Sequence, residues 1–341
     1  MWQPVLFVLH TNIQTPEGVE SVTKPNIIVY KKVEPAVLDY LAETCTVTYF
    51  EKLTDVVYPS FLTALKEAEG LLGGGLKVDR ALLEQAPRLR IVCNTSVGYD
   101  NLDMEELKQR GIVATNTPEV LNETVADTVI ALMLAAARRI PELDAAVRKG
   151  LWGTEPSDSW YGVDVHHKTL GIIGMGGIGN AIAQRAKFGF GMNILYHNRS
   201  RKRSAEERFG ARYCGLDELL GEADFVCLMT PLTPSTAGLI GKRELSLMKP
   251  SAIFINGSRG ATVDEEALVE ALEKTTIHAA GLDVFVEEPL PGDHPLTRLD
   301  NVVLAPHIGS ATGETRLKMA MLAAENLTAF MQGQTPPTMI R

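Results

Sequence analysis

Four cysteines in 341 residues, at positions 45, 93, 214 and 227, form neither a CxxC pair nor a tight metal spacing. That excludes a disulfide framework, and Cys93 and Cys227, set inside apolar runs, read as reduced core thiols of a cytoplasmic protein. Positive charge is also scarce, with 33 Lys+Arg against 42 Asp+Glu and a formal net charge of -9. A phosphate backbone therefore meets no general electrostatic attraction, and no nucleic-acid partner is expected. Long hydrophobic runs are missing too. The stretch 4–9 is too short to cross a bilayer and no Lys or Arg precedes it, so neither a membrane span nor a secretory leader is expected.

What is present is a 45% hydrophobic chain whose length, at about 150 residues per domain, predicts roughly two domains. Residues 1–23 read as an extension, loosely held, because 11–23 is polar and without period. From residue 26 apolar or β-branched runs alternate with helical patterns, at 27–29, 47–50, 89–93 and 112–114. The alternation restarts at 170–173 and continues through 194–196, 225–229, 253–255, 279–282 and 302–304. This is an α/β pattern that predicts two doubly wound parallel-sheet domains, a flavodoxin-like one at 24–117 plus 312–341 and a Rossmann one at 118–311. Two chain crossings, near 116–118 and 308–312, predict a hinge with a cleft between the domains. Between them a helix over 118–140 repeats Val125, Val129, Leu132, Met133, Ala136 and Ile140, and reads as buried between the domains. It starts either with Pro118 at its first position or with Asn122 as a cap. A last helix over 314–332 aligns Leu317, Met321, Ala324, Leu327 and Met331.

Gly174-Met175-Gly176-Gly177-Ile178-Gly179 follows one predicted strand and opens a helix, the context a dinucleotide fingerprint demands. The first glycine permits the tight turn, the second lets pyrophosphate approach the backbone, and the third allows close strand–helix packing. The helix N-terminus then offers partial positive charge to the phosphates. Enzymes that use NAD place an Asp or Glu about 20 residues on, at the end of the second strand. Here that strand runs into His197-Asn198-Arg199-Ser200-Arg201-Lys202-Arg203, with no carboxylate before Glu206. Arg199 can pair with a 2′-phosphate and Ser200 can add a hydrogen bond, so NADPH is expected in preference to NADH, with Asn198 beside them.

Three polar groups follow later strands. Arg259 lies between a strand and a helix opened by a capping box at Thr262-Val263-Asp264-Glu265, Glu288 precedes Pro289, and His307 follows Pro306. Each has an ordinary structural alternative: a loop arginine, a surface carboxylate, a capping or core histidine. Together they supply what reduction of a 2-oxo acid needs: an imidazolium to protonate the developing alkoxide, a carboxylate favouring the charged ring, and a guanidinium gripping the substrate carboxylate.

At these residues the chain resembles the D-isomer-specific 2-hydroxyacid dehydrogenase family over nearly all of 24–335. The resemblance implies catalytic roles for Arg259, Glu288 and His307. It also implies that Ser96-Val97-Gly98-Tyr99-Asp100-Asn101 is the substrate loop, with the Val97 and Gly98 amides on the carboxylate. Further implied cofactor contacts are Thr124, Thr230, Pro231, Gly257, Ser258 and Asp283, the last facing the nicotinamide carboxamide, completed by His307 and Gly309. Within the family the likeness is greatest to bacterial reductases of glyoxylate, hydroxypyruvate and 2-ketogluconate, carried by 160–171 and 225–228, while the extension before Lys24 departs from that pattern. It further implies a homodimer, with Trp160 on an arm that reaches the partner's active site or serves only as its aromatic anchor. His166 and His167 are rejected as metal ligands, since adjacent residues point apart and no third ligand is near. The expected activity is therefore NADPH-preferring reduction of small 2-oxo acids to D-2-hydroxy acids. The rivals are a dinucleotide-sensing corepressor-like protein and a phosphite or formate dehydrogenase on the same scaffold.

Overall fold

The computed structural model describes residues 7–8, 23–153 and 158–340. They form two compact units, Met1–Val120 with Thr312–Arg341, and Leu121–Ala311.

The first unit carries strands β1 (Phe7–Val8), β2 (Asn26–Val29), β3 (Thr46–Tyr49), β4 (Gly70–Gly73), β5 (Ile91–Asn94) and β6 (Val113–Thr115). Their order is β1-β3-β2-β4-β5-β6, parallel except for β1, which pairs antiparallel with β3. Of the expected extension, Phe7–Val8 add this edge strand, and the rest of 1–22 lies outside the described residues. Successive residues of β2 enter opposite cores. Ile28 joins Phe61, Leu71 and Val92 on one face, while Ile27 and Val29 join Val37, Leu41 and Leu327 on the other. Burial on both faces is what a parallel sheet covered by helices requires.

Of those helices, Gly313–Met331 is capped by the Thr312 side chain and buries Met319, Ala320, Ala323, Ala324 and Leu327. Leu317, expected on the buried stripe, is 37% exposed instead. The small residues 320, 323 and 324 let the helix approach the sheet closely and carry the contact in its place.

The second unit holds β7 (Thr169–Ile173), β8 (Asn193–His197), β9 (Arg212–Tyr213), β10 (Phe225–Leu228), β11 (Ile253–Asn256), β12 (Ala279–Leu282) and β13 (Val302–Leu304). The sheet is all parallel in the order β13-β12-β11-β10-β7-β8-β9, so the winding reverses between β10 and β7. Open α/β sheets bind ligands at such a reversal, beyond the carboxyl ends of the strands.

The long helix spans Asn122–Arg138, with Leu121 in the cap position; 118–121 stays outside it. It packs on helix Gly177–Phe190 and on β11 and β12, inside the second unit. Arg139 adopts the left-handed conformation (φ 57°) and ends the helix, so Ile140 starts a separate helix, Ile140–Arg148, and stands 56% exposed rather than extending the buried stripe. All four cysteines are free and buried, and burial pushes the Cys93 and Cys227 thiols up to about 12. Among the described residues no helix is long and apolar enough to cross a membrane.

Candidate active site

The glycine turn sits at the reversal point. Gly174 has φ 106°, and a Cβ there would lie 2.5 Å from the Met229 carbonyl oxygen, so only glycine fits between the turn after β7 and the segment after β10. A Cβ on Gly179 would strike the Gly174 carbonyl, which is the close packing expected of the third glycine. Gly176 has no heavy atom within 4 Å of its Cβ position, the open approach expected of the second. Gly177, at the helix start, is crowded by the Asn122 side chain, a constraint invisible in the motif. The helix Gly177–Phe190 has no side-chain cap, and its first N–H groups, with that of Ile178 among them, are left for a ligand. Nearby, the Thr230 hydroxyl is buried with no partner among the described residues, and the Pro231 carbonyl accepts from Thr236 at 2.6 Å. An open glycine, an uncapped helix and an orphaned hydroxyl together fit a dinucleotide.

At the end of β8, Arg199 and Ser200 are exposed and Asn198 turns its amide onto the Ser200 carbonyl at 3.0 Å. Glu206, the first carboxylate beyond that strand, is drawn away. Arg201 grips it at 2.7 Å and the Tyr196 hydroxyl donates to it at 2.8 Å, which together hold its carboxyl below the usual range.

Three loops after β11, β12 and β13 carry the other candidates. The turn after β11 is built by a buried asparagine that the sequence reading passed over. Asn256 donates to the Arg259 carbonyl at 3.0 Å and accepts from the Ser258 amide and hydroxyl at 3.0 and 2.9 Å. Thr262 also donates to the Arg259 carbonyl, at 2.6 Å. Its place in the expected capping box is corrected: Thr262 belongs to the short turn Gly260–Thr262, and Asp264 alone caps helix Glu265–Glu273 through the Ala267 amide. Arg259 is half-buried, with Nη1 donating to the Ser258 carbonyl at 2.8 Å. Gly257 lies against Val129 and Met229. Next in the chain, Gly260 abuts the Phe285 backbone so closely that a Cβ would not fit, which sets Arg259 beside the loop after β12.

In that loop Glu288 Oε1 accepts from the Phe285 amide at 3.0 Å, and Oε2 lies 2.7 Å from His307 Nδ1. An ionised carboxylate only accepts, so Nδ1 carries the proton and Nε2 is the nitrogen free for substrate. His307 itself has φ 53°, a rare conformation for a non-glycine residue. The cause of its stability is Asp283, 3% exposed, whose carboxylate accepts from the Ile308 and Gly309 amides at 2.7 and 2.8 Å. Burial pushes the Asp283 carboxyl up, while those two amides and the His307 charge oppose the shift. Gly309 also touches Val125, and the Thr128 hydroxyl reaches the carbonyls of both Thr124 and Gly309, so the first turns of helix Asn122–Arg138 join the same cluster. Glu288 and His307 line a cavity of about 520 Å³ with Phe285, Leu290, Leu304 and Pro306.

In the first unit Val97 and Gly98 turn their carbonyls inward, onto Asn116 and Asn94 side chains at 2.8 Å each. Their own N–H groups meet no acceptor among the described residues. Trp160 is half-buried at the end of Asp158–Trp160, whose segment is tied back to the long helix by the Arg139 to Ser159 hydrogen bond and the Val163 to Ala137 one. The expected divergence of His166 and His167 is corrected. His167 has φ 61°, which swings its ring to within 2.9 Å of His166, Nδ1 to Nδ1. Among the described residues no cluster of three metal-ligating side chains forms.

A doubly wound sheet, an anion-ready glycine turn and a carboxylate–imidazole pair beyond neighbouring strands define a nucleotide-dependent oxidoreductase. Comparison with known proteins narrows this. The family model "D-isomer specific 2-hydroxyacid dehydrogenase, NAD binding domain" matches residues 130–309. A Yersinia enterocolitica protein named glyoxylate/hydroxypyruvate reductase B is 54% identical over 310 residues, covering 91% of this chain and 95% of that one. The crystal structure of an NADPH-dependent glyoxylate/hydroxypyruvate reductase from Sinorhizobium meliloti, in complex with NADP and malonate, superposes with a TM-score of 0.82 at 36% identity, covering 93% of this chain and 97% of that one. The crystal structure of a Thermus thermophilus protein gives a TM-score of 0.85 at 41% identity, covering 93% of this chain and all of that one. The chain belongs to the D-isomer-specific 2-hydroxyacid dehydrogenase family and is an NAD(P)-dependent oxidoreductase.

Proposed function

We propose that the protein reduces glyoxylate and hydroxypyruvate, and 2-ketogluconate as a longer substrate of the same type, to D-2-hydroxy acids, with NADPH preferred to NADH. The 2.7 Å contact between His307 Nδ1 and Glu288 Oε2 carries the reading, because it fixes the ring's orientation and aims Nε2 away from its carboxylate. The reduced nicotinamide, when bound, supplies the hydride for the carbonyl carbon. His307 protonates the carbonyl oxygen and Arg259 grips the substrate carboxylate, while in the first unit the Val97 and Gly98 amides are suited to bind a carboxylate. The names of the Yersinia and Sinorhizobium relatives support these substrates.

The coenzyme preference is supported by the pairing of Glu206 with Arg201 and Tyr196, which leaves Arg199 facing solvent beside Ser200. A homodimer is supported by an apolar arm in which Ile140, Leu151, Trp152 and Tyr161 are 56 to 69% exposed.

Initial rates of NADPH and NADH oxidation with glyoxylate, hydroxypyruvate, pyruvate and 2-ketogluconate test the proposal. Turnover of the first two with NADPH is expected. No turnover with any 2-oxo acid, with nucleotide-dependent binding of a protein partner, would favour the corepressor reading, and oxidation of phosphite or formate would favour the third. Arg199→Ala should raise KM for NADPH by about ten- to hundredfold, as loss of a charged hydrogen bond does, with little change for NADH.

A further inference from the structure

The first unit has a reversal point of its own. Its parallel strands run β3-β2-β4-β5-β6, so the winding changes direction between β2 and β4, where the crevice rule places a ligand. Three residues emerge at that edge. Lys31 lies two positions past β2, Gly74 directly follows β4, and Thr95 directly follows β5. They converge: the position of a Cβ on Gly74 is 2.9 Å from Thr95 Oγ1 and 3.7 Å from Lys31 Nζ. Thr95 is 6% exposed, and its hydroxyl is buried without a hydrogen-bond partner among the described residues.

The charges there are unbalanced as well. The group acting on Lys31 is another cation, Arg316 in the first turn of helix Gly313–Met331, and both side chains are half-buried. Among the described residues neither side chain forms an ion pair or a hydrogen bond. Burial first, and for Lys31 the neighbouring guanidinium second, push both groups below their ordinary values. Two like charges half-buried with no ion partner among the described residues are costly to hold, and a bound anion offsets that cost.

We infer that Lys31, Gly74, Thr95 and Arg316 form an anion pocket that receives a negatively charged group at the far end of a 2-oxo acid. The inference rests on the proposed reductase reading, in which Val97 and Gly98, two and three residues past Thr95, hold the carboxylate at the near end. Glycine at 74 keeps the floor open, lysine and arginine supply charge, and the Thr95 hydroxyl donates the remaining hydrogen bond. The charged end can be a carboxylate or a phosphate ester, and the two are separable by experiment.

The test is kcat/KM with NADPH for glyoxylate, 2-oxobutanoate, 2-oxosuccinate and 3-phosphohydroxypyruvate. At least one of the two anionic substrates should exceed 2-oxobutanoate by about tenfold, and the better one identifies the group. Lys31→Met, Arg316→Met and Gly74→Ala should each cut that ratio by about tenfold, with Lys31→Arg restoring most of it and melting curves reporting folding. A wild-type ratio at or below one overturns the pocket, as does an equal loss on every substrate, glyoxylate included, in folded variants. Absence of glyoxylate turnover in the wild type sinks the reductase reading instead. Calorimetric titration with 2-oxosuccinate then decides the pocket: binding that Lys31→Met abolishes supports it, and no binding overturns it.

Discussion

His307 sits in the left-handed region with φ 53°, and two hydrogen bonds from the next two amides to Asp283 stabilise that turn. Strain of this kind costs about 1–3 kcal/mol and persists only where the surroundings over-determine it. Asp283 therefore sets where the imidazole points, since its carboxylate holds the turn that carries it. The partnership of Glu288 with His307 was legible in the sequence because both follow successive strands of one parallel sheet, which places them at the same edge. The support given by Asn256, Thr262 and Asp283 was not, because a polar residue next to a strand end reads the same whether its side chain braces a turn or faces water. His307→Gln keeps a polar ring-sized side chain but cannot act as an acid. Its kcat should fall by about 10²- to 10⁴-fold while NADPH affinity, read by fluorescence titration, stays within about twofold. A folded variant with near-normal kcat would remove the proton-donor role.

Elements were read well where one physical signal dominated. The strands of the second unit are near-continuous apolar runs, as burial on both faces demands, and their expected positions agree with β7, β8, β10, β11, β12 and β13 to within a residue or two. β4 was missed for a reason of the same kind. Gly70-Leu71-Leu72-Gly73 offers only two apolar side chains, and glycine is depleted in strands. Its glycines are required by neighbours distant in sequence, since a Cβ on Gly73 would lie 2.5 Å from the Tyr30 ring and one on Gly70 would lie 3.0 Å from Met331. The glycine turn after β7 gives the test at this scale. Gly174→Ala forces a Cβ against the Met229 carbonyl at φ 106°, so folding should lose about 1–3 kcal/mol and NADPH binding should weaken with it. Denaturant melts and coenzyme titration check this, and unchanged values in both would show that the turn tolerates a side chain.

The second unit's sheet is also tied by charge. Asp224 accepts from the Thr169 amide at 2.9 Å and from Lys249 at 2.8 Å, joining the starts of β7 and β10 to the segment before β11. Burial alone would push its carboxyl up, but Lys249 and the amide outweigh burial and hold it below the ordinary 3.8. A carboxyl lowered on folding stabilises above its unfolded value, and the gain is lost as pH falls through the folded one. Wild type should therefore exceed Asp224→Asn by about 1–2 kcal/mol at neutral pH, with the gap closing as pH drops below the ordinary aspartate range. Thermal melts across that range check the sign, and a gap that widens in acid would contradict it. The arm supplies a second test. Leu151 and Trp152, 63% and 69% exposed, carry apolar surface that a second copy of the chain would cover. Light scattering should give a dimer for the wild type and a monomer for the Leu151→Asp, Trp152→Asp double variant; identical masses would remove the arm from assembly.

The sequence by itself determined the α/β class, the dinucleotide turn and the candidate trio, because hydrophobic period, glycine spacing and position past a strand are local properties that fold into one sheet edge by topology. Tertiary structure decided which carboxylate meets the imidazole and through which nitrogen, how the left-handed turn at His307 is held, and that Glu206 is occupied by Arg201 and Tyr196. It also decided that Lys31 and Arg316, 285 positions apart in the chain, are half-buried and without an ion pair among the described residues. These are distances of a few ångströms between residues far apart in sequence, and no period or motif encodes them until the strands are placed side by side.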